Sequence, residues 1–410
     1  MEIRPILSAL LRNKVAPLLV TAQIAISLAI LANALYIVHL RLDAANRPTG
    51  LSNEKNVFST RVASNRELTS ADKLNQTQRF LETIAAVPGV VGVAEVTQMP
   101  LGMSMSMSSV SVDPHQTKPT TRTTNYDSSH SLIKTFGLNL IAGRDFNDAD
   151  IQDVDPDRVE TVPEHVIVTA AFAQALFPGQ TDFIGKRFFW GTGSDAQSSQ
   201  IIGVIERLQT PSAEIGPEGE YSVLLPKRRV LGAPTFAIRT EPGQRDRVIP
   251  EVEASLRKAD NAPLRIKTST VESGRKIRYG TEMTMAWMLI IVSALLIIIT
   301  ASGIVGMTSL WVNQRRKHIG VRRALGARKI DILRYFITEN LIIGCAGVMT
   351  GALLAIGLNQ FLVSQLELSK IPLPYVGYGA ALFILLGVGA AYAPAWRAAS
   401  ISPAVATRST

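Results

Sequence analysis

Few residues of this 410-residue chain have the types and spacing that metal binding requires. The one cysteine, Cys345, excludes a disulfide framework and a thiolate cluster, and the five histidines show no ligand spacing. Met103, Met105 and Met107 alternate with serines, and thioethers on one strand face are ligands for Cu(I). No cysteine or histidine lies beside them, so the favoured interpretation is an apolar edge that packs on its own lobe. Binding of a ligand by these three methionines is the alternative. We expect no metal and no cofactor to be bound by this chain.

Nucleotide and acid–base chemistry have equally little support. The segment from Gly179 to Lys186 resembles a phosphate loop, but five residues separate its glycines. Arg187 follows the lysine, where Ser or Thr must hold magnesium, so the chain contains no Walker A motif. Spacing indicates no Ser/His/Asp arrangement and no carboxylate pair. The sequence predicts a protein that is not catalytic by itself.

The apolar residues divide the chain into membrane and soluble parts. With 47% hydrophobic and 18% charged residues and a mean hydropathy of +0.19, the chain is too apolar for a disordered tail. A bilayer core of about 30 Å requires about 20 helical residues. We predict membrane helices at 16–40, 283–314 (including a stalk), 337–364 and 371–396. The first is interpreted as an uncleaved anchor, because its apolar stretch exceeds the roughly 7 to 15 residues of a signal peptide.

Basic residues lie asymmetrically about these helices. Three segments, 1–15, 315–339 and 397–410, together contain 13 basic and three acidic residues, whereas 41–282 contains 28 basic and 29 acidic residues. The positive-inside rule places both termini and the loop 315–336 in the cytoplasm and the domain 41–282 outside. The N-terminal segment 1–15 is predicted to be amphipathic. The formal net charge of +9 is thereby explained, and nucleic-acid binding is not expected.

Alternating and helical patterns in the domain 41–282 predict an α+β fold. The predicted strands are 57–62, 90–96, 166–169, 201–205, 221–225, 235–239 and 264–268, and the predicted helices are 71–86, 170–177 and 245–259. Their order indicates a ferredoxin-like, porter-like lobe at about 50–98 and 208–270, with an inserted second lobe at about 99–207. The predicted fold class is a membrane protein with four transmembrane α-helices (1 + 3) and a large extracytoplasmic α+β domain.

The cytoplasmic loop is the most informative segment of the chain. It reads RRKHIGVRRALGARKIDILRYFITE from Arg315 to Glu339, and a short helix along the membrane surface, with lipid headgroups near its basic side chains, fits this pattern. The loop resembles the coupling loop of the MacB/FtsX-like permease family of ABC transporters, R-x-x-E-I-G-x-R-R-A-L-G-A. The matching residues are Arg315, Ile319, Gly320, Arg322, Arg323, Ala324, Leu325, Gly326 and Ala327. His318 stands where the family has glutamate.

The resemblance continues along the chain, in IKTFGLNLIAGRDF at 133–146, in IGV at 202–204 and in PAWRAA at 394–399. The resemblance implies the permease subunit of an inner-membrane bacterial transporter, homodimeric or paired with a related permease. It also implies a separate ABC ATPase subunit that binds ATP and Mg and drives the transporter. Motion would pass up long helices to the periplasmic domain, a mode called mechanotransmission, and extrude a substrate. A periplasmic adaptor and an outer-membrane channel are further candidate partners.

An FtsX-like regulator is the alternative function. Such a protein transmits ATPase motion to a periplasmic partner without transport. The outer domain of about 240 residues favours the transporter, because regulators of this family tend to have a smaller one. The sequence does not indicate the substrate.

Small residues repeat at helical spacing in the third predicted membrane helix. Gly347, Gly351 and Ala355 occupy positions i, i+4 and i+8. This spacing lets helices approach closely in lipid, so it predicts a helix-packing face.

Overall fold

The computed structural model describes residues 15–154, 161–366 and 370–400. The chain divides into two compact units, which we call the helical unit (Met1–Leu42 and Thr284–Thr410) and the α+β unit (Asp43–Met283). Except for Val15, the predicted N-terminal segment 1–15 lies outside the described residues, and so does the tail from residue 401.

The secondary structure is as follows. The described helices are α1 (Val15–Asn46), α2 (Ser70–Ala85), α3 (Leu132–Phe136), α4 (Ala170–Leu176), α5 (Arg245–Ala259), α6 (Val271–Gln314), α7 (Arg316–Ala324), α8 (Lys329–Leu366) and α9 (Leu373–Ala399). The described strands are β1 (Val57–Ser64), β2 (Val90–Val96), β3 (Met107–Ser111), β4 (Thr121–Asp127), β5 (Leu140–Gly143), β6 (Gln152–Asp153), β7 (His165–Thr169), β8 (Arg187–Trp190), β9 (Gln197–Ile205), β10 (Ser222–Leu225), β11 (Lys227–Arg228), β12 (Thr235–Thr240) and β13 (Leu264–Thr270).

Four helices are long and apolar enough to cross a membrane, as the sequence predicted: α1, α6, α8 and α9. Their bounds differ from the predicted ones. Helix α6 begins at Val271 rather than at 283, and α8 begins at Lys329 rather than at 337. The addition to α6 is polar and the addition to α8 contains three charged residues, so a prediction from uninterrupted apolar length does not include them.

The helical unit is organised around α1. Its residues Ile24 and Leu28 are buried in one apolar cluster with Ile304 of α6, Ile343 of α8 and Phe383 of α9. Polar side chains add directional contacts between these helices. Ser27 and Thr300 share a 2.9 Å hydrogen bond, and Asn33 Nδ2 donates to the carbonyl oxygen of Ala355 at 3.1 Å. Such hydrogen bonds between membrane helices stabilise a bundle and fix its register.

The ferredoxin-like lobe has the strand order β13-β1-β12-β2, with every neighbouring pair antiparallel. Helices α2 and α5 cover one face of this sheet. Their apolar residues recur every three or four positions and pack with Phe58, Val62, Phe236 and Ile238. Thr69 caps α2 by accepting a hydrogen bond from the backbone N–H of Asp72 at 3.2 Å. The predicted ferredoxin-like lobe is therefore present.

The second lobe is a sheet that closes on itself. Its strand order is β5-β9-β7-β10-β4-β3-β8, and β8 also pairs with β9. Phe172 of α4 and Phe188 of β8 are buried in the apolar core of this lobe. The sequence placed the strand at 221–225 in the ferredoxin-like lobe, which is wrong: β10 pairs with β4 and β7 of the closed sheet. A period of two identifies a strand but does not identify its neighbours.

A third apolar cluster joins the two lobes within the α+β unit. Val57, Ala94 and Ala237, on the sheet face opposite α2 and α5, pack with Phe136 of α3 and Leu224 of β10. Hydrogen bonds join buried polar groups in this cluster. Tyr126 Oη donates to the carbonyl oxygen of Gln209 at 2.6 Å, and Gln209 Nε2 donates to Tyr279 Oη at 2.6 Å. Tyr279 belongs to α6, so this helix contributes directly to the core of the α+β unit.

Candidate functional site

The segment 315–327 folds as helix α7 followed by a turn, between α6 and α8. Ile319 is 5% exposed and belongs to an apolar cluster with Val312 of α6, Phe336 of α8 and Ala398 of α9. One buried side chain thus fixes the helix against three of its neighbours. A helix of nine residues has little stability without tertiary packing. The contacts of Ile319 therefore hold this surface helix in place.

A Schellman turn ends α7. The backbone N–H of Ala327 donates to the carbonyl oxygen of Arg322 at 3.0 Å, and that of Gly326 donates to the carbonyl oxygen of Arg323 at 3.2 Å. Gly326 has a φ of 97°, a left-handed conformation that favours glycine. The glycine in the motif therefore has a structural reason, since it stops the helix directly after Leu325.

Arg315 lies at the start of α7 and joins α6 to α8. Its Nη1 donates to Glu339 Oε2 at 2.8 Å and to Tyr335 Oη at 3.0 Å. The Glu339 side chain is fully buried, and its Oε1 has no hydrogen-bond partner among the described residues. Arg322 adds to this group, with its guanidinium 5.4 Å from the centroid of the Tyr335 ring, a cation–π distance.

Glu339 and Tyr335 were not among the predicted site residues. In the sequence, Glu339 is only the last residue of the basic segment that begins at Arg315. Its signal was available, because a carboxylate at the start of a membrane helix needs a partner, and basic residues 15 to 25 positions earlier supply candidates. Tyr335 carried no comparable signal in the sequence.

The outward side of α7 combines apolar and basic side chains. Leu325 is 83% exposed and Val321 is 51% exposed. The exposed basic residues of the same region are Arg316, Lys317, Arg322, Arg328, Lys329 and Arg334. Of the other motif residues, Gly320 is buried, Arg323 and Ala327 are half-buried, and Ala324 is exposed. Three exposed apolar side chains, Val321, Leu325 and Ile330, thus lie among these basic residues.

The three small residues of α8 are buried against α1. A Cβ at Gly347 would lie 2.9 Å from Ile24 Cβ, and a Cβ at Gly351 would lie 2.9 Å from both Cα and the carbonyl oxygen of Ala25. Ala355 is fully buried beside Ala29 and Ala32 of α1. The helices therefore meet along this stripe at a distance that leaves no space for larger side chains.

The remaining candidate segments have ordinary surroundings. Lys186, the lysine of the phosphate-loop resemblance, lies over the rings of Phe177 and Phe183, 5.1 and 5.7 Å from their centroids. Met103 and Met105 are exposed in a segment without regular structure before β3, and Met107 begins that strand. Within the described ranges, no cluster of three or more His, Cys, Asp or Glu side chains has the arrangement of a metal site.

Two family models match this chain. The MacB-like periplasmic core domain matches residues 21–263, and the FtsX-like permease C-terminal domain matches residues 290–403. The chain belongs to the MacB/FtsX-like permease family. The resemblance seen in segment 315–327 is thus confirmed, and helix α7 and the small-residue stripe of α8 both lie in the FtsX-like part of this permease.

Curated relatives of the permease have names from the same family. It is 24% identical over 280 residues to the pyoverdine export ATP-binding/permease protein PvdT of Pseudomonas savastanoi pv. phaseolicola, covering 67% of this chain and 41% of PvdT. It is 27% identical over 284 residues to the macrolide export ATP-binding/permease protein MacB of Agrobacterium fabrum, covering 66% of this chain and 41% of that protein. The chain therefore spans about two fifths of the length of these relatives.

Proposed function

We propose that this permease is the membrane subunit of an exporter driven by an ABC ATPase, and that the ATPase contacts helix α7. Support comes from the relatives, which are named ATP-binding/permease proteins for export of pyoverdine or macrolides. The observation that carries the proposal is Leu325, an 83% exposed leucine at the end of a helix that Ile319 and Arg315 anchor. The ATPase would bury Leu325 when it binds. Movement of the ATPase would then move α7 and, through Ile319 and Arg315, the helices that contact α7.

Transmission from α7 would use the contacts of its first residues. Arg315 links the end of α6 to Glu339 of α8, so a displacement of α7 acts on both helices. Helix α6 has 44 residues, about 66 Å at 1.5 Å per residue, and it includes Tyr279 of the α+β core. This length exceeds the roughly 30 Å hydrocarbon core, which supports mechanotransmission along α6 to the α+β unit. The match of a periplasmic core domain to residues 21–263 supports the exporter over the FtsX-like regulator.

The first test removes the apolar contact at α7. Leu325→Asp places a charge where the ATPase would bury an apolar side chain, and an unpaired buried charge is costly. The ABC ATPase that copurifies with the wild-type permease is reconstituted with each variant in proteoliposomes. We expect permease-dependent ATP turnover to fall and the affinity for the ATPase to drop at least about tenfold, equivalent to 1.4 kcal/mol.

Two variants serve as controls for this substitution. Leu325→Met keeps an apolar side chain of similar size and should retain wild-type coupling. Val91→Asp places the same charge at a 53% exposed position of β2 in the α+β unit and should also be silent. If Leu325→Asp retained both wild-type turnover and affinity, the assignment of α7 as the ATPase contact would be wrong.

A second prediction concerns the sides of the membrane. In a Cys345→Ser background, a cysteine at Ser194 should react with a membrane-impermeant maleimide on intact spheroplasts, whereas a cysteine at Lys329 should not. Ser194 is exposed in the loop between β8 and β9, and Lys329 lies in the basic region assigned to the cytoplasm. Both positions should react after lysis. Labelling of 329 with protection of 194 would invert the topology and remove the ATPase contact from the cytoplasm.

A further inference from the structure

A cavity of about 200 Å³ lies in the α+β unit, apart from helix α7 and its surroundings. Its floor lies on the face of the ferredoxin-like sheet opposite α2 and α5, beside the apolar cluster that joins the two lobes. Ser59, Thr235 and Ser269 are among the residues of this floor. Its walls are the segment 97–104 and the first turns of α6, from Val271 to Ile277. All these residues belong to one compact unit.

Two cations lie next to each other on the floor of this cavity. Arg61 of β1 and Lys267 of β13 are direct cross-strand partners in the antiparallel register, and both line the cavity. Side chains at such positions start about 5 Å apart, and like charges there destabilise a sheet. Neither side chain forms an ion pair or a side-chain hydrogen bond with another residue in the described part of the chain. This unfavourable pair would be stabilised by an anion between the two side chains.

The N-terminal turn of α6 adds positive potential to the same cavity. Thr270 caps this helix, since the backbone N–H of Ser273 donates to Thr270 Oγ1 at 3.1 Å. Thr270, Val271 and Ser273 line the cavity, and the first turn of a helix carries a partial positive charge. Glu272, the acidic residue of this turn, forms an ion pair with Arg245 at 2.7 Å and does not line the cavity.

The wall formed by the segment 97–104 carries apolar side chains and is held in one conformation. Met99, Leu101 and Met103 line the cavity together with Ile277 of α6. Leu101 has a φ of 58°, which is an uncommon and strained conformation for a leucine. The backbone around it is held, because Arg278 Nη2 donates to the carbonyl oxygen of Gly102 at 3.0 Å. Strained residues held in place in this way are concentrated at binding sites.

The apolar wall meets solvent through flexible side chains. Met103 is 81% exposed and lies at the edge of the cavity, and Met105 follows it with 52% exposure. Unbranched thioether side chains adapt to ligands of different shape, so they suit the mouth of a binding site. Of the methionine and serine repeat found in the sequence, Met103 and Ser104 line the cavity.

We propose that this cavity binds a small anionic amphiphile, a molecule with one carboxylate or phosphate group and a short apolar chain. The anionic group lies between Arg61 and Lys267, and the chain packs against Leu101, Met103 and Ile277. The volume limits the ligand, since a cavity of about 200 Å³ is too small for a long lipid chain. An eight-carbon chain whose headgroup lies at the exposed side chains of Arg61 and Lys267 is closer to this limit than a long lipid chain.

Photolabelling of the full chain tests the proposal. The permease is placed in nanodiscs of zwitterionic phosphatidylcholine without any ATPase and irradiated with octanoate that carries a diazirine at its terminal carbon. We expect labelled peptides from segments 97–104 and 271–277. Unlabelled octanoate or octyl phosphate should compete, and the stronger of the two identifies the headgroup as carboxylate or phosphate. Octanol and octyltrimethylammonium should compete at least tenfold less well.

Substitution of the cations provides the second arm of the experiment. Arg61→Gln combined with Lys267→Gln should lower labelling of these segments at least tenfold. Because the substitutions remove like-charge repulsion, the thermal midpoint of unfolding should stay unchanged or rise. A matched control, Lys118→Gln with Arg122→Gln, removes two exposed basic side chains elsewhere in the α+β unit and should label as the wild type does.

Three results would overturn the site: equal competition by octanol, unchanged labelling in the Arg61 and Lys267 variant, or labelling confined to α1, α6 residues 284–314, α8 and α9. The competition arm uses the wild-type chain, so it remains decisive if the doubly substituted protein unfolds. The site is independent of the proposed ATPase contact, because binding is measured without an ATPase. Loss of coupling in Leu325→Asp and loss of labelling here are therefore separate outcomes.

Discussion

Replacing Arg315 with methionine is expected to lower the free energy of unfolding of the helical unit by about 3 to 5 kcal/mol, the range for breaking a buried ion pair at one partner. The cause is Glu339, whose fully buried carboxylate accepts its charge-compensating hydrogen bond from Arg315 at 2.8 Å. The methionine keeps most of the apolar stem, so packing changes little. Equilibrium unfolding in mixed detergent micelles, followed by tryptophan fluorescence, measures the loss.

The companion variants separate the ion pair from packing. Glu339→Gln should lower the free energy of unfolding by less, about 1 to 2 kcal/mol. The Arg315 side chain is 27% exposed and keeps Tyr335 as an acceptor. The double variant, Arg315→Met with Glu339→Gln, should be more stable than the sum of the two single losses predicts. Strictly additive losses would show that the pair does not link α6 to α8.

Gly351→Leu is expected to destabilise the helical unit by about 3 kcal/mol, the upper part of the range for overpacking. The new Cβ would lie 2.9 Å from Cα and the carbonyl oxygen of Ala25, and these are backbone atoms that cannot rotate away. Helices α1 and α8 must therefore separate. The same unfolding assay should record the loss, and cross-linking between cysteines on α1 and α8 should weaken.

Gly357→Leu is the matched control in the same helix. No atom lies within 4 Å of a Cβ at Gly357, so the larger side chain has space. Leucine has a better helix propensity than glycine by up to about 1 kcal/mol, so this variant should be neutral or slightly more stable. Equal destabilisation by both substitutions would show that the stripe of small residues does not hold α8 against α1.

The sequence predicts the helices and strands of this chain better than it predicts which strands pair with each other. Apolar length identifies α1, α6, α8 and α9, and the pattern at 57–96 and 235–270 identifies the ferredoxin-like lobe. These features are local, so each can be recognised within a short window. The closure of the second sheet through β8 and β9 depends on pairings between distant segments, and alternation does not specify them.

In the candidate site too, local features could be predicted from the sequence and contacts between distant residues could not. The motif led to Leu325 and Gly326 because a short segment carries it, and the structure explains both through exposure and a left-handed φ. Glu339 was missed because its importance comes from burial, which no short segment reveals. Arg61 and Lys267 are 206 positions apart and became a pair only through the register of β1 and β13.

The strand order of the ferredoxin-like lobe also has a consequence for biogenesis. Strand β1 lies between β13 and β12, and residues 65–234 are synthesised between the end of β1 and the start of β12. At about 5 to 20 residues per second, both edges of β1 lack their partners for about 10 to 30 s. Unpaired edges are templates for aggregation. A chaperone, or early folding of the inserted lobe, would keep β1 from pairing with other chains during that interval.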